Sequence, residues 1–137
     1  MKTHTTNYTN TFIQVAEDCP VTSAEVPPVK GNKTVANIHF EMMSEHPYKY
    51  SSDDIIFGTY AAKNNISKSE LKEAREQFFS KGQACLRASP LTKRYGFGVH
   101  SNAAGKVAIY ALGTDEYELY SKDESLKQEK AMRSKKA

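Results

Sequence analysis

No apolar run in the 137 residues approaches the ~18 that a membrane-spanning helix needs, which argues against a helical membrane span. The opening stretch MKTHTTNYTN has no apolar centre either, so a secretory leader is not expected and a cytoplasmic setting is. Cysteine is scarce: Cys19 and Cys85 lie far apart and form no CxxC, the pattern of free thiols in a reducing compartment. Charge of either sign is nearly balanced, with a formal net charge of +3. Much of that excess sits at the end of the chain, in Lys127, Lys130, Arg133, Lys135 and Lys136 against Glu129. The body is close to neutral and carries no broad footprint for nucleic acid.

What is present is an ordinary mixture, 39% hydrophobic and 26% charged, enough for one domain with a core. Thr11 to Ala16 predicts a short strand. From Glu17 to Asn32 the pairs Cys19-Pro20, Pro27-Pro28 and Gly31-Asn32 predict a long helix-free crossing, expected to lie over a site as a cover. Thr34 to Glu45 fits both periods but is assigned to helix, which Pro47 ends. Ser51 and Ser52 ahead of Asp53 and Asp54 start a second helix, Ser52 to Asn64, with Ile55, Ile56, Phe57 and Tyr60 on its buried side. Ser67 and Glu70 form an S-x-x-E capping box for a third helix, which uses Leu71, Ala74, Phe78 and Phe79 and stops at Gly82. Ser89-Pro90 predicts a short helical turn ended by Gly96. Phe97 and Val99 then alternate with Gly98 and His100 as a strand. Asn102 to Gly105 is the loop of a hairpin whose return strand carries Val107, Ile109 and Ala111. Thr114 to Ser121 predicts a last short helix with Tyr117 and Tyr120 inward.

The expected architecture is α+β: a small antiparallel sheet, made of the N-terminal strand and the C-terminal hairpin, packed against about three helices. Residues 11–122 form the domain, with a polar segment at 1–10 and a basic tail at 123–137.

Candidate chemistry concentrates between Cys85 and Tyr110. Arg87, Lys93 and Arg94 supply positive charge, Ser89 and the amides behind Pro90 supply a helix start, and Tyr95 and His100 can add hydrogen bonds. Together Arg87, Ser89, Lys93, Arg94, Tyr95 and His100 suggest a surface that accepts a small anionic molecule, phosphate or carboxylate. The competing view pairs Arg87 and Arg94 with Asp53, Asp54 or Glu25 and leaves Lys93 solvated. An enzyme using Cys85 or His100 is the next alternative, although cysteine between Ala84 and Leu86 more often packs than reacts. Three helices followed by a hairpin is also the order of a winged helix. Its reading helix would carry Lys68, Lys72, Arg75 and Lys81, nearly cancelled by Glu70, Glu73 and Glu76, which disfavours a nucleic-acid partner. The Asp53-Asp54 pair is explained by capping rather than catalysis. His39, Met43 and His46 share a helical face that could hold a soft metal, but no carboxylate or thiol completes the set, so no metal or cofactor is expected. The pattern favours binding over catalysis.

The segments EDCPVTSAEVPPVKG (17–31), HPYKYSSDD (46–54), FFSKGQACLRASP (78–90), SPLTKRYGFGVH (89–100) and KAMRSKKA (130–137) form a distinctive set. By these the chain resembles a family of small bacterial and fungal proteins known only as a domain of unknown function, over nearly its full length. The resemblance implies an outline of motifs and no catalytic roles. Phe97 stands where that outline has tryptophan, an aromatic exchange that keeps the packing. It also implies that the basic end docks.

Overall fold

In the computed structural model, which describes residues 4–134, the alternation around Val99 becomes the centre of a mixed four-stranded sheet. Strands β1 (Thr11–Gln14), β2 (Phe97–Ser101), β3 (Val107–Ala111) and β4 (Lys127–Lys130) lie in the order β3-β2-β1-β4. β1 pairs antiparallel with β2, and β2 with β3, whereas β1 and β4 run parallel. Helices α1 (Val35–Glu45), α2 (Ser52–Lys63), α3 (Leu71–Phe78), α4 (Pro90–Lys93) and α5 (Asp115–Ser121) complete the chain, with single 3-10 turns at Lys68–Glu70 and Leu86–Ala88. The α+β class expected from the sequence is therefore present, with one more strand.

Side chains in a strand alternate between faces, so the register divides the sheet's residues in two. Ile13 pairs with Val99 and Val99 with Ile109. Their face meets Met43, Ile55, Leu86 and Leu91 in one buried core. On the other face Phe12 pairs with His100, and Gly98 with Tyr110. Here α5 closes over the sheet: Tyr117 meets Phe12 edge-on with ring centres 5.2 Å apart, and the Tyr117 hydroxyl accepts the Val15 N–H at 2.9 Å.

The helices begin where capping chemistry places them. Thr34 and Asn37 cap α1 reciprocally, and Ser51 and Asp54 do the same for α2. Ser89 caps α4, accepting the Leu91 N–H at 3.2 Å. The expected box at Ser67 does not form. Its hydroxyl donates instead to the Glu70 carboxylate at 2.6 Å, the chain makes a 3-10 turn, and α3 starts at Leu71. α3 ends at Phe78, four residues before Gly82, because the Phe79 ring turns into the core. Tyr60 is exposed at the end of α2 rather than buried, with its ring on Phe78 at 4.7 Å.

Both ends of the described chain are held. Asp53, buried at the start of α2, accepts from the Thr5 hydroxyl and from the Thr6 N–H and hydroxyl, each at 2.7 Å. Within the segment 123–137, read from sequence as a tail, β4 adds to the sheet edge. Ala131 is buried, and the Ser134 N–H donates to Asp18 at 2.9 Å. Lys135 and Lys136 lie outside the described residues. The crossing from Glu17 to Asn32 is free of helix and strand and runs past the β2-β3 end: Ala24 N–H donates to Leu112 O at 3.3 Å and Glu25 N–H to Tyr95 O at 2.9 Å.

Gly98 lies where a Cβ would run into the buried Phe12 ring and Tyr117. Gly98→Ala is expected to cost ~1–3 kcal/mol or more of stability, and an unchanged denaturation midpoint would contradict the close α5 packing. Asp53→Ala should cost ~1.5–3 kcal/mol and release the amides of residues 5–8 to fast hydrogen exchange. Protection that survives the substitution would show that something else holds the N-terminal residues.

Candidate functional site

The turn at Ser89 is the centre of the helical side. Ser89 is 3% exposed and His39, on α1, is 5% exposed; the imidazole Nδ1 lies 2.8 Å from the Ser89 oxygen. Serine has one proton to give. Its oxygen already accepts the Leu91 N–H, and among the described residues its other hydrogen-bond partner is His39, so the arrangement that satisfies both has the hydroxyl donating to Nδ1. The proton of the neutral ring is then on Nε2. Burial alone depresses the His39 pKa from 6.5 to about 4 and keeps the ring neutral.

The pair brings α4 to the start of α1. Thr34, Val35 and Ala36 at that start, with Lys93, Arg94 and Tyr95 from the end of α4, line a hollow of about 320 Å³. The Thr34 hydroxyl takes the Asn37 N–H and the Asn37 carboxamide takes the Thr34 N–H, which leaves Val35 and Ala36 as first-turn amides without a side-chain cap. Among the described residues, neither the Lys93 ammonium nor the Arg94 guanidinium has a hydrogen-bond or ion-pair partner. Of the acids weighed as partners for Arg87 and Arg94, Asp54 binds Arg75 at 2.9 Å and Asp53 holds Thr5 and Thr6, and Glu25 pairs with neither arginine; Lys93 is unpaired, as the competing view has it. The Arg75 guanidinium and the Ser51 cap outweigh burial and hold the Asp54 carboxyl below its usual range.

The six sequence candidates thus divide. Lys93, Arg94 and Tyr95 share the hollow, and Ser89 lies behind it as a structural cap. Arg87 turns to β4, where its Nε donates to Lys130 O at 2.6 Å and lies 4.0 Å from Glu129. His100 is on the opposite face of the sheet. There the Tyr48 hydroxyl sits 2.8 Å from His100 Nδ1 and 2.7 Å from the Tyr110 hydroxyl, while the Tyr120 ring lies over His100 at 4.5 Å. Burial pushes the His100 pKa down, partly offset by Asp123, and pushes the Tyr48 and Tyr110 hydroxyls up. The neighbouring groove on α5 is lined by Asp115, Glu116, Glu118 and Asp123 against one cation, Lys122, which pairs with Glu118, so its net charge would repel an anion. Tyr48 holds a left-handed φ of 61°, costly for a residue with a Cβ, and the hydroxyl network with Tyr48 N–H on Val107 O at 2.9 Å fixes it. Nothing in the local pattern of Pro47-Tyr48 announces that network.

Cys85 does not meet His100 either. Its sulfur lies 3.5 Å from the Tyr8 hydroxyl, whose pKa burial and this thiol raise to about 12. Cys85 shares a second hollow, of about 510 Å³, with His39. His46, seven residues after His39, meets Tyr50 edge-on at 5.9 Å.

A model for a family of unknown function, DUF6157, matches residues 3–137. The chain belongs to that family. No curated protein and no solved structure matches it. No helix among the described residues is long and apolar enough to cross a membrane.

The depressed His39 pKa has a consequence with a definite sign. Between about 6.5 and about 4 the unfolded chain takes up a proton that the folded ring refuses, so stability falls as pH drops through that window and this contribution levels off below it. Its full span is about 3 kcal/mol. Comparing denaturation at about pH 7 and about pH 4.5, the native protein should lose ~2–3 kcal/mol more than His39→Asn. Equal losses would mean that His39 is not buried neutral.

Proposed function

We propose that the protein is a binding module for small anions, with Lys93, Arg94, Tyr95 and the Val35 and Ala36 amides as the receiving groups. The observation that carries this is the pair of unpartnered cations beside the Val35 and Ala36 amides, which the capping box of Thr34 and Asn37 leaves without a side-chain acceptor. Arg75 and Arg87 are matched to the protein's own acceptors, and among the described residues Lys68, Lys72, Lys81 and Lys106 are as unpaired as Lys93; what sets Lys93 and Arg94 apart is their place together in the hollow at the start of α1. An incoming phosphate or carboxylate oxygen would meet both N–H donors and fixed positive charge, where the helix dipole favours the anion too. The Tyr95 hydroxyl adds a third kind of donor. Ser89 contributes by holding α4 in place, and Arg87 and His100 drop out of the receiving set.

Binding is favoured over catalysis because Cys85 and His100 lie on different sides of the fold, and neither close hydroxyl-imidazole pair among the described residues, Ser89 with His39 or Tyr48 with His100, has a carboxylate hydrogen-bonded to the ring. Two free cysteines fit a reducing, cytoplasmic setting. The nearly balanced charge of α3, with Arg75 tied to Asp54, disfavours a nucleic-acid groove.

Titrating inorganic phosphate at constant ionic strength should shift the Val35 and Ala36 amide resonances and leave those of α3 unmoved. Lys93→Met and Arg94→Met should each weaken the binding about tenfold. Unmoved resonances at Val35 and Ala36, or binding indifferent to both substitutions, would refute the assignment.

A further inference from the structure

The hollow that holds His39 and the one that holds Lys93 and Arg94 share a wall, because Val35, Ala88 and Pro90 line both. The His39 side is apolar, with Ile56, Tyr60 and Phe78 around it, and its 510 Å³ is within the size range of small-molecule sites. Thr59, Lys63 and Asn64 also line it, and their side chains donate to backbone carbonyls, whereas the imidazole of His39 has a nitrogen unspent. His39 Nε2 has no partner among the described residues, yet no fully buried side-chain nitrogen or oxygen there lacks one, so Nε2 reaches the open space that His39 lines. With Ser89 donating to Nδ1, Nε2 carries the ring proton and presents an N–H donor. An apolar chamber with one donor on its wall therefore opens beside a cationic one.

We propose that the two hollows form a single site for an amphipathic organic anion, a carboxylate with a medium-length aliphatic body. The carboxylate is received by Lys93, Arg94 and the Val35 and Ala36 amides. The body crosses Val35 and Pro90 and lies among Ile56, Tyr60 and Phe78. A neutral His39 adds no charge to the chamber, and the Lys63 ammonium that also lines it donates to Lys33 O at 3.3 Å, which suits an apolar body there. The His39 N–H is available to a hydroxyl or carbonyl carried on that body. Because the head group is the anion assigned above, this inference rests on that assignment and extends it to a ligand class.

Binding of acetate, hexanoate, octanoate and inorganic phosphate to the full-length protein, measured by calorimetry at equal ionic strength, separates the possibilities. Affinity should rise about fourfold for each methylene that enters the chamber. Octanoate should also shift the His39 ring resonances and slow labelling of Cys85 by a thiol reagent, and acetate should do neither. If phosphate and acetate bind but octanoate binds no tighter and leaves Cys85 equally reactive, the joined site is refuted and the anion site stands. If none of the four binds, the anion assignment falls and this one with it. If octanoate binds as tightly to the Lys93→Met, Arg94→Met double variant, whose substitutions lie at the surface, the chamber works alone and the joined site is again refuted.

Discussion

The helical side of the protein depends on one hydroxyl. Ser89 accepts the first free amide of α4 and donates to a buried imidazole of α1, so a single oxygen sets where two helices meet. Backbone hydrogen bonds extend the constraint: Thr92 O accepts the Ala16 N–H at 2.9 Å, which ties the same turn to the end of β1. Lys93 and Arg94 follow immediately, and their position beside the start of α1 is a consequence of the cap rather than of any attraction they supply. Two cations brought to a helix N-terminus oppose its dipole, an arrangement that costs stability in the empty protein and is relieved by a bound anion.

The sheet separates that cationic side from an acidic one. α5 covers the Phe12 face, and the groove beside it carries Asp115, Glu116, Glu118 and Asp123. His100 belongs to the acidic side, half-buried among Tyr48, Tyr110 and Tyr120, where its Nδ1 joins a hydroxyl network.

Local signals in the sequence were dependable where one residue type has one structural use. Proline after serine at Ser89-Pro90 marked a real cap, Gly96 adopts the left-handed φ of 81° that ends the turn, and the hairpin from Phe97 to Ala111 follows its alternation. What stayed hidden were partnerships between distant segments. β4 reads KQEK, with no apolar alternation, because an edge strand is held by backbone bonds and needs no buried face. The grip of Asp53 on Thr5 and Thr6 is invisible because a carboxylate at a helix start already has a sufficient local explanation. The box at Ser67 failed for the opposite reason: its pattern was right, but Glu70 took the hydroxyl that the backbone was expected to use. Of the candidate site, Lys93, Arg94 and Tyr95 were legible by adjacency. For His39 the local pattern gives only a place on a helical face with Met43 and His46, since its partner lies fifty residues away.

The direction of the proton between Ser89 and His39 underlies the neutral ring, the placing of α4 and the donor in the apolar chamber. Nitrogen-15 chemical shifts of the His39 ring at neutral pH read it directly. A protonated Nε2 with an unprotonated, hydrogen-bonded Nδ1 is the predicted result. A proton on Nδ1, or on both nitrogens, would contradict the account.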